Sequence, residues 1–248
     1  MRFRFGVRPL LLAMTSLAVL AGAAESQTAP ELRAQLVPRD YTTLSSETAG
    51  RIDRINARVG QHFSKGDVLV VFDCAIQRAQ EAHARAASIQ AEKTYAIDAR
   101  LVQLKSMGAV ELEVAGAEVA KAKADVAGAE AVTSKCSIAA PFPGVTVDQK
   151  AREFQYATPG QPLLDVLDDS NLEVELIAPS RWLSWLKPGY TFDLRIEETD
   201  KNYPVTVTRL GGRVDPVSQS IKVFGEIVGG SSQLLAGMSG RANIAPPN

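Results

Sequence analysis

The 248-residue chain is poor in the side chains that most chemistry needs: two cysteines, two histidines, and aromatics at 6%. His62 and His83 show no ligand spacing with Cys74 or Cys136, so neither a zinc nor a copper site is expected. Four methionines, one of them the initiator, are too few for a thioether relay. Neither sign of charge dominates, with 27 basic against 28 acidic residues. No basic patch points to nucleic acid, and no lysine-rich helix points to an anionic membrane surface. A nucleophile, base and acid set is also missing. The acidic pairs Asp168-Asp169 and Glu197-Glu198 fall near predicted strand ends and read as solvated loops. Neither enzymatic activity nor a cofactor is expected.

What is present is alanine, glycine and β-branched residues. Apolar content of 46% suffices for a good core. The shortage of rings favours slim helix pairs over an aromatic-rich interior. At the start, Arg2, Arg4 and Arg8 precede the apolar run Leu10–Leu20 and the small residues Ala21-Gly22-Ala23. That order reads as a cleaved secretory signal over residues 1–23. The alternative is a retained membrane anchor, for which the apolar stretch is short of the ~20 residues a span requires. Ala23 stands where lipidation would need a cysteine.

An internal repeat organises the remainder of the chain. Its first copy runs from Glu47 to Asp73 and its second from Pro141 to Asp168. Gly50 matches Gly144, Gly66 matches Gly160, and Leu69 matches Leu163, all at one sequence offset. The four glycines are expected in tight turns that need positive φ. Val68–Phe72 and Leu163–Leu167 read as short buried strands, while Ile52, Ile55 and Val59 mix spacings.

The segment between the copies, about Cys74 to Lys135, contains no proline and is dense in Ala, Glu, Gln, Lys and Arg. These are strong helix formers. Leu112, Ala115, Val119, Ala122, Val126 and Ala129 alternate steps of three and four, as a heptad seam does. The first half offers Ala75, Ala79, Ala82, Ala86 and Ile89, then shifts phase to Ile97, Leu101 and Leu104. Ser106-Met107-Gly108-Ala109 is the expected hairpin tip. Helices of roughly 27–32 residues would be about 40–48 Å long, too long for a small core to cover. The hairpin should therefore project into solvent or toward a partner.

After Asn171 the chain turns β-rich. Leu172–Ile177, Thr191–Ile196, Val205–Leu210 and Ile221–Val228 are separated in part by Gly211-Gly212, Asp215-Pro216 and Gly229-Gly230. Arg181–Leu186, with Trp182 and Trp185, reads as a short helix ended by Pro188-Gly189, its tryptophans packed in the core or rim. Short strands at this spacing predict a small barrel.

These features resemble the periplasmic adaptor subunits, or membrane fusion proteins, of the HlyD-like family in tripartite efflux and secretion systems. The markers are Ala140-Pro141-Phe142-Pro143-Gly144, Val59-Gly60 with Lys65-Gly66-Asp67, Asp215-Pro216-Val217-Ser218-Gln219-Ser220-Ile221, and Ala236-Gly237-Met238-Ser239-Gly240. The resemblance implies an α+β, mostly β fold. A lipoyl-like β-sandwich (41–73 and 137–171) is split by an antiparallel coiled-coil hairpin (74–136). A small β-barrel (30–40 and 172–248) completes it. Biotin and lipoyl carriers share the half-motifs, but place a modified lysine about seven residues before the Ala-Pro pair. Here that position is Thr133, inside a predicted helix.

The implied function is assembly and coupling rather than catalysis. A periplasmic, homo-oligomeric adaptor would link an inner-membrane transporter, of resistance-nodulation-division or ABC type, to a TolC-type outer-membrane channel. The alternative is a periplasmic scaffold or assembly factor with no transport role. Such adaptors commonly dock through an Arg, a Leu four residues on and a Ser seven further. Arg100 and Leu104 fit, Val110 suits the apolar position, and Glu111 stands where serine is expected. Arginine can bond the carbonyls or carboxylates of a partner helix end, and leucine supplies an apolar anchor. Cys74 and Cys136 lie at the two feet of the hairpin, where an oxidising periplasm favours a disulfide over two buried thiols. The sequence ends soon after the predicted barrel, so no further membrane-proximal domain is expected.

Overall fold

A computed structural model describes residues 31–229 and 233–245. The signal sequence read at 1–23 lies outside these residues, as does Pro30 at the expected start of the barrel segment. Chain order is β1 (Glu31–Pro38), β2 (Tyr41–Ser45), β3 (Gly50–Ile55), β4 (His62–Phe63) and β5 (Val68–Phe72). Next come two helices, α1 (Ala75–Gln103) and α2 (Ala109–Ser134), then β6 (Ser137–Ala139), β7 (Gly144–Gln149), β8 (Tyr156–Ala157) and β9 (Pro162–Leu167). The rest is β10 (Leu172–Pro179), a 3-10 turn (Ser180–Ser184), β11 (Thr191–Ile196), β12 (Lys201–Asp215), β13 (Ser220–Ile227) and β14 (Ser239–Asn243).

The repeat is structural as well as sequential. One four-stranded sheet has the order β2-β9-β7-β4 and the other β6-β5-β3-β8. At the repeat offset, β3 maps onto β7, β4 onto β8 and β5 onto β9, so the two orders are the same order written twice. Each copy lends a strand to the other: β4 pairs with β7, and β8 with β3. Residues from both sheets meet in one core, including Ile52, Val70, Phe72, Leu163, Leu164 and Val166. Turn chemistry is duplicated too. The Gln61 amide oxygen accepts from the Arg58 N–H at 3.2 Å, and Gln155 does the same for Arg152 at 3.1 Å.

The glycines divide into two kinds. Gly66 and Gly160 hold φ of +88° and +83°, which a Cβ disfavours. Gly50 and Gly144 are not turn residues: each opens a strand with no positive φ. At Gly144 the cause is close approach, because a Cβ would collide with the Leu167 carbonyl. A Cβ at Gly50 would meet only ordinary contacts at 3.9 Å.

The second core belongs to a closed barrel, β1-β10-β13-β12-β11-β14. Leu36, Val174, Leu194, Ile196, Val205 and Val223 fill it. Gly211-Gly212 does not interrupt a strand as expected. It lies inside β12, where the ladder to β13 shifts register between Leu210 and Val214. Glycine there forms a bulge, since a Cβ on Gly211 would press on the Lys222 carbonyl at 3.2 Å. The tryptophan segment is a short helix of 3-10 type over Ser180–Ser184. Trp182 is buried, with Trp185 at 5.1 Å and Tyr190 edge-on to Trp185 at 5.5 Å.

Asp168 is not a solvated loop residue. It is buried where the sheet pair hands over to the barrel, accepting from the Ser170 N–H and hydroxyl and from the Asn171 amide at 2.6–2.9 Å. Burial pushes its pKa up most strongly, yet these donors together outweigh burial and hold it below the usual carboxylate range. Glu198 likewise has a partner, the Ser239 N–H at 3.0 Å, and Glu197 pairs with Arg241 at 3.1 Å.

Candidate docking site at the hairpin tip

The two helices, of 29 and 26 residues, would extend about 44 and 39 Å at the ~1.5 Å helical rise. They contact each other along their length and run between Cys74 and Cys136, which are bonded in the structure with Cα atoms 6.0 Å apart. On α2 the inward face carries Leu112, Ala115, Val119, Ala122, Val126 and Ala129, the heptad stripe read from sequence. On α1 the expected stripe is turned away: Ala75, Ala79, Ala82, Ala86 and Ile89 are exposed. The inward face is Gln77, Glu81, Ala84, Ser88 and Ala91, with the same three-and-four spacing.

A polar seam can form here because its charges have partners. Arg85 bonds Glu81 at 2.7 Å and reaches Glu130 on α2 at 2.7 Å, while Lys123 meets Glu92 at 3.0 Å. The Arg85 guanidinium, with help from Thr133, lowers the Glu81 pKa. Packing is closest where side chains are small. Ser88 and Ala122 are the buried residues, and the Tyr95 ring lies against Gly116.

The tip is a well-defined helix stop. The Lys105 N–H donates to the Val102 carbonyl at 2.9 Å, and the Ser106 N–H to that of Leu101 at 2.9 Å. That pair of bonds is a Schellman closure, with Lys105 at φ +59° in the left-handed position glycine usually takes. Gly108 then caps α2 in an extended conformation. Arg100 sits in the last turn of α1 and, among the described residues, makes no ion pair within 4.0 Å. Leu104 and Val110 are 66% and 69% exposed, so the tip presents two uncovered apolar side chains beside a free guanidinium.

Glu111 does something different. It occupies the third position of α2, and its carboxylate folds back over Gly108, where a Cβ would collide with it. A carboxylate there complements the unpaired N–H groups and the positive end of the helix dipole. The residue that departs from the expected serine therefore lies back against the start of α2. Sequence spacing brought Arg100, Leu104 and Glu111 to one tip, but gave no sign of this back-folding or of the left-handed Lys105.

No helix among the described residues is long and apolar enough to cross a membrane. Among the same residues no group of three His, Cys, Asp or Glu side chains could hold a metal. His62 instead pairs with Asp169 at 2.7 Å.

No family model matches the chain. It is 26% identical over 215 residues to an uncharacterised protein of Haemophilus influenzae, and spans 56% of that relative's length. Among solved structures it is similar to a chimera of MacA carrying the α-hairpin domain of Pseudomonas aeruginosa MexA. That match has a TM-score of 0.78 and 18% identity, covering 89% of this chain and 79% of the other. It is also similar to the membrane fusion protein Spr0693 of Streptococcus pneumoniae R6, with a TM-score of 0.74 and 17% identity, over 88% of this chain and 100% of that one. The fold is that of membrane fusion proteins.

Proposed function

We propose that the protein is a periplasmic adaptor of a tripartite efflux or secretion system. It joins an inner-membrane transporter to an outer-membrane channel by assembly, without catalysis of its own. On this reading the paired sheets are the lipoyl-like domain and α1–α2 is its inserted coiled-coil arm. The barrel and sheet pair face the transporter and neighbouring copies of the chain, and the tip reaches a TolC-type channel. Arg100 and Leu104 make the contact, while Glu111 holds α2 in register from within. The Cys74–Cys136 bond clamps the feet of the arm so that tip position follows the orientation of the sheets.

The observation that carries this proposal is the arm itself. A helix pair about 40 Å long ends in Leu104 and Val110, both exposed, on a chain with the fold of membrane fusion proteins. A scaffold without a transport role needs no such exposed apolar end. Affinity purification of the full chain from detergent-solubilised envelopes tests it. Co-purification of one inner-membrane transporter and one outer-membrane channel, with the channel lost in Leu104→Asp, is the expected result. Recovery of neither would refute the proposal and leave the scaffold.

A further inference from the structure

The repeat is broken at one position in a way that costs stability. Gly60, with φ +80°, closes the crossing from β3 to β4. Its counterpart in the second copy is Phe154, also left-handed at φ +66° and 69% exposed. A bulky residue is strained in that region, where glycine is not. Its ring also gains little from burial within its own chain. Tyr156, two residues on, is 63% exposed. The matching margin of the first copy has no such knob. Asn56, Gln61, His62, Phe63, Asp67 and Val68 are among the residues that line a mixed polar and apolar hollow of about 380 Å³ there.

Topology places knob and hollow on opposite sides at one level. The connections 64–67 and 158–161 are short, so β4 must lie over the β5–β6 margin of the facing sheet, and β8 under the β2–β9 margin. A two-fold rotation that exchanges both the sheets and their margins runs along the strands and leaves height unchanged. The Phe154 edge and the Gly60 edge therefore stand level, facing away from each other. Two unlike faces at one height on opposite sides are what head-to-tail association into a ring requires.

We propose that Phe154, flanked by Tyr156, inserts into the hollow beside Gly60 and His62 on the next copy of the same chain. The contact thus defines the side-to-side interface of the sheet pair. This deepens the self-association included in the functional reading above and rests on it. Strain borne by Phe154 in the free chain is offset when its ring is covered by the neighbour.

The test uses the full chain and two variants. Phe154→Gly removes the knob and relieves the backbone, so its monomer should melt higher than wild type while self-association weakens by about tenfold or more. Val68→Glu puts a charge into the hollow at a residue that is 40% exposed and should weaken association similarly. Mixed together, the variants retain one intact knob and one intact hollow. Sedimentation should then show a heterodimer and nothing larger. A wild type that self-associates normally while Phe154→Gly associates equally well would overturn this interface and leave self-association standing. A Phe154→Gly monomer that melts lower would make Phe154 structural and also overturn it. No wild-type association at any concentration would overturn both.

Discussion

Breaking the Cys74–Cys136 bond should uncouple the arm from the sheets before it unfolds the protein. The bond closes a loop of 62 residues in sequence separation. Chain-entropy reasoning gives such a loop about 4 kcal/mol, reduced by whatever helix survives in the unfolded chain. That figure is an upper limit on the loss of global stability. The distribution of the loss is set by the seam. Gln77, Glu81 and Ser88 face α2, and in each helix only one residue is buried. Exposed ion pairs such as Lys123–Glu92 contribute roughly 0–1 kcal/mol each. Once the feet are released, little besides these contacts resists fraying. Urea titration of Cys74→Ala/Cys136→Ala, monitored by far-ultraviolet circular dichroism and by tryptophan fluorescence, separates the two regions. Trp182 and Trp185 report the barrel core, and ellipticity is dominated by the helices. The wild type should lose both signals together, whereas the variant should lose helix at lower urea. Dithiothreitol added to wild type should reproduce the split. Coincident transitions in the variant, or a wild type indifferent to reductant, would show that the bond does not couple arm to sheets.

Gly144→Ala should cost about 1–3 kcal/mol, the usual range for overpacking, because Leu167 backbone must move; Gly50→Ala should be nearly silent, and thermal melts compare the two. Asp168→Ala should lose about 1–3 kcal/mol by stranding the donors of Ser170 and Asn171. Because the Asp168 pKa is lowered on folding, its contribution is complete above the unfolded value near ~3.9 and is lost as pH falls through the folded value. Below that point the melting temperatures of wild type and variant should converge. Glu111→Ala should lower helix stability by about 0.3–1 kcal/mol at low salt and less at high salt. Channel co-purification should be far less affected by it than by Arg100→Ala or Leu104→Asp.

How much of this was legible in the sequence depended on whether one residue type has one cause. The repeat was legible because Gly66 and Gly160 meet the same left-handed requirement, and because strands such as Val68–Phe72 leave continuous apolar runs. The α2 seam was legible because Leu112, Val119 and Val126 fall on one stripe with Ala115, Ala122 and Ala129. On α1 alanine lies on several faces, and apolarity alone selects the outer one. The true face contains Glu81 and Ser88, whose fitness depends on Arg85, Glu130 and close packing across the pair. Gly50 and Gly144 look alike in sequence and each faces a carbonyl 23 residues on, but only at Gly144 does that carbonyl come close enough to exclude a Cβ. Asp168 reads as a loop acid until the donors of Ser170 and Asn171 are placed around it. Phe154 carries no local signal, and its meaning comes from comparison with Gly60 across the repeat.

Docking of the hairpin tip on an outer-membrane channel is the contact on which the proposed adaptor function stands. A photo-activated cross-linker placed at position 105, in the left-handed turn between Leu104 and Ser106, reports that contact in intact cells. One dominant adduct is predicted, with an outer-membrane channel protein, and it should disappear when Leu104→Asp is added. Adducts only with periplasmic proteins, or a channel adduct unchanged by Leu104→Asp, would contradict tip docking.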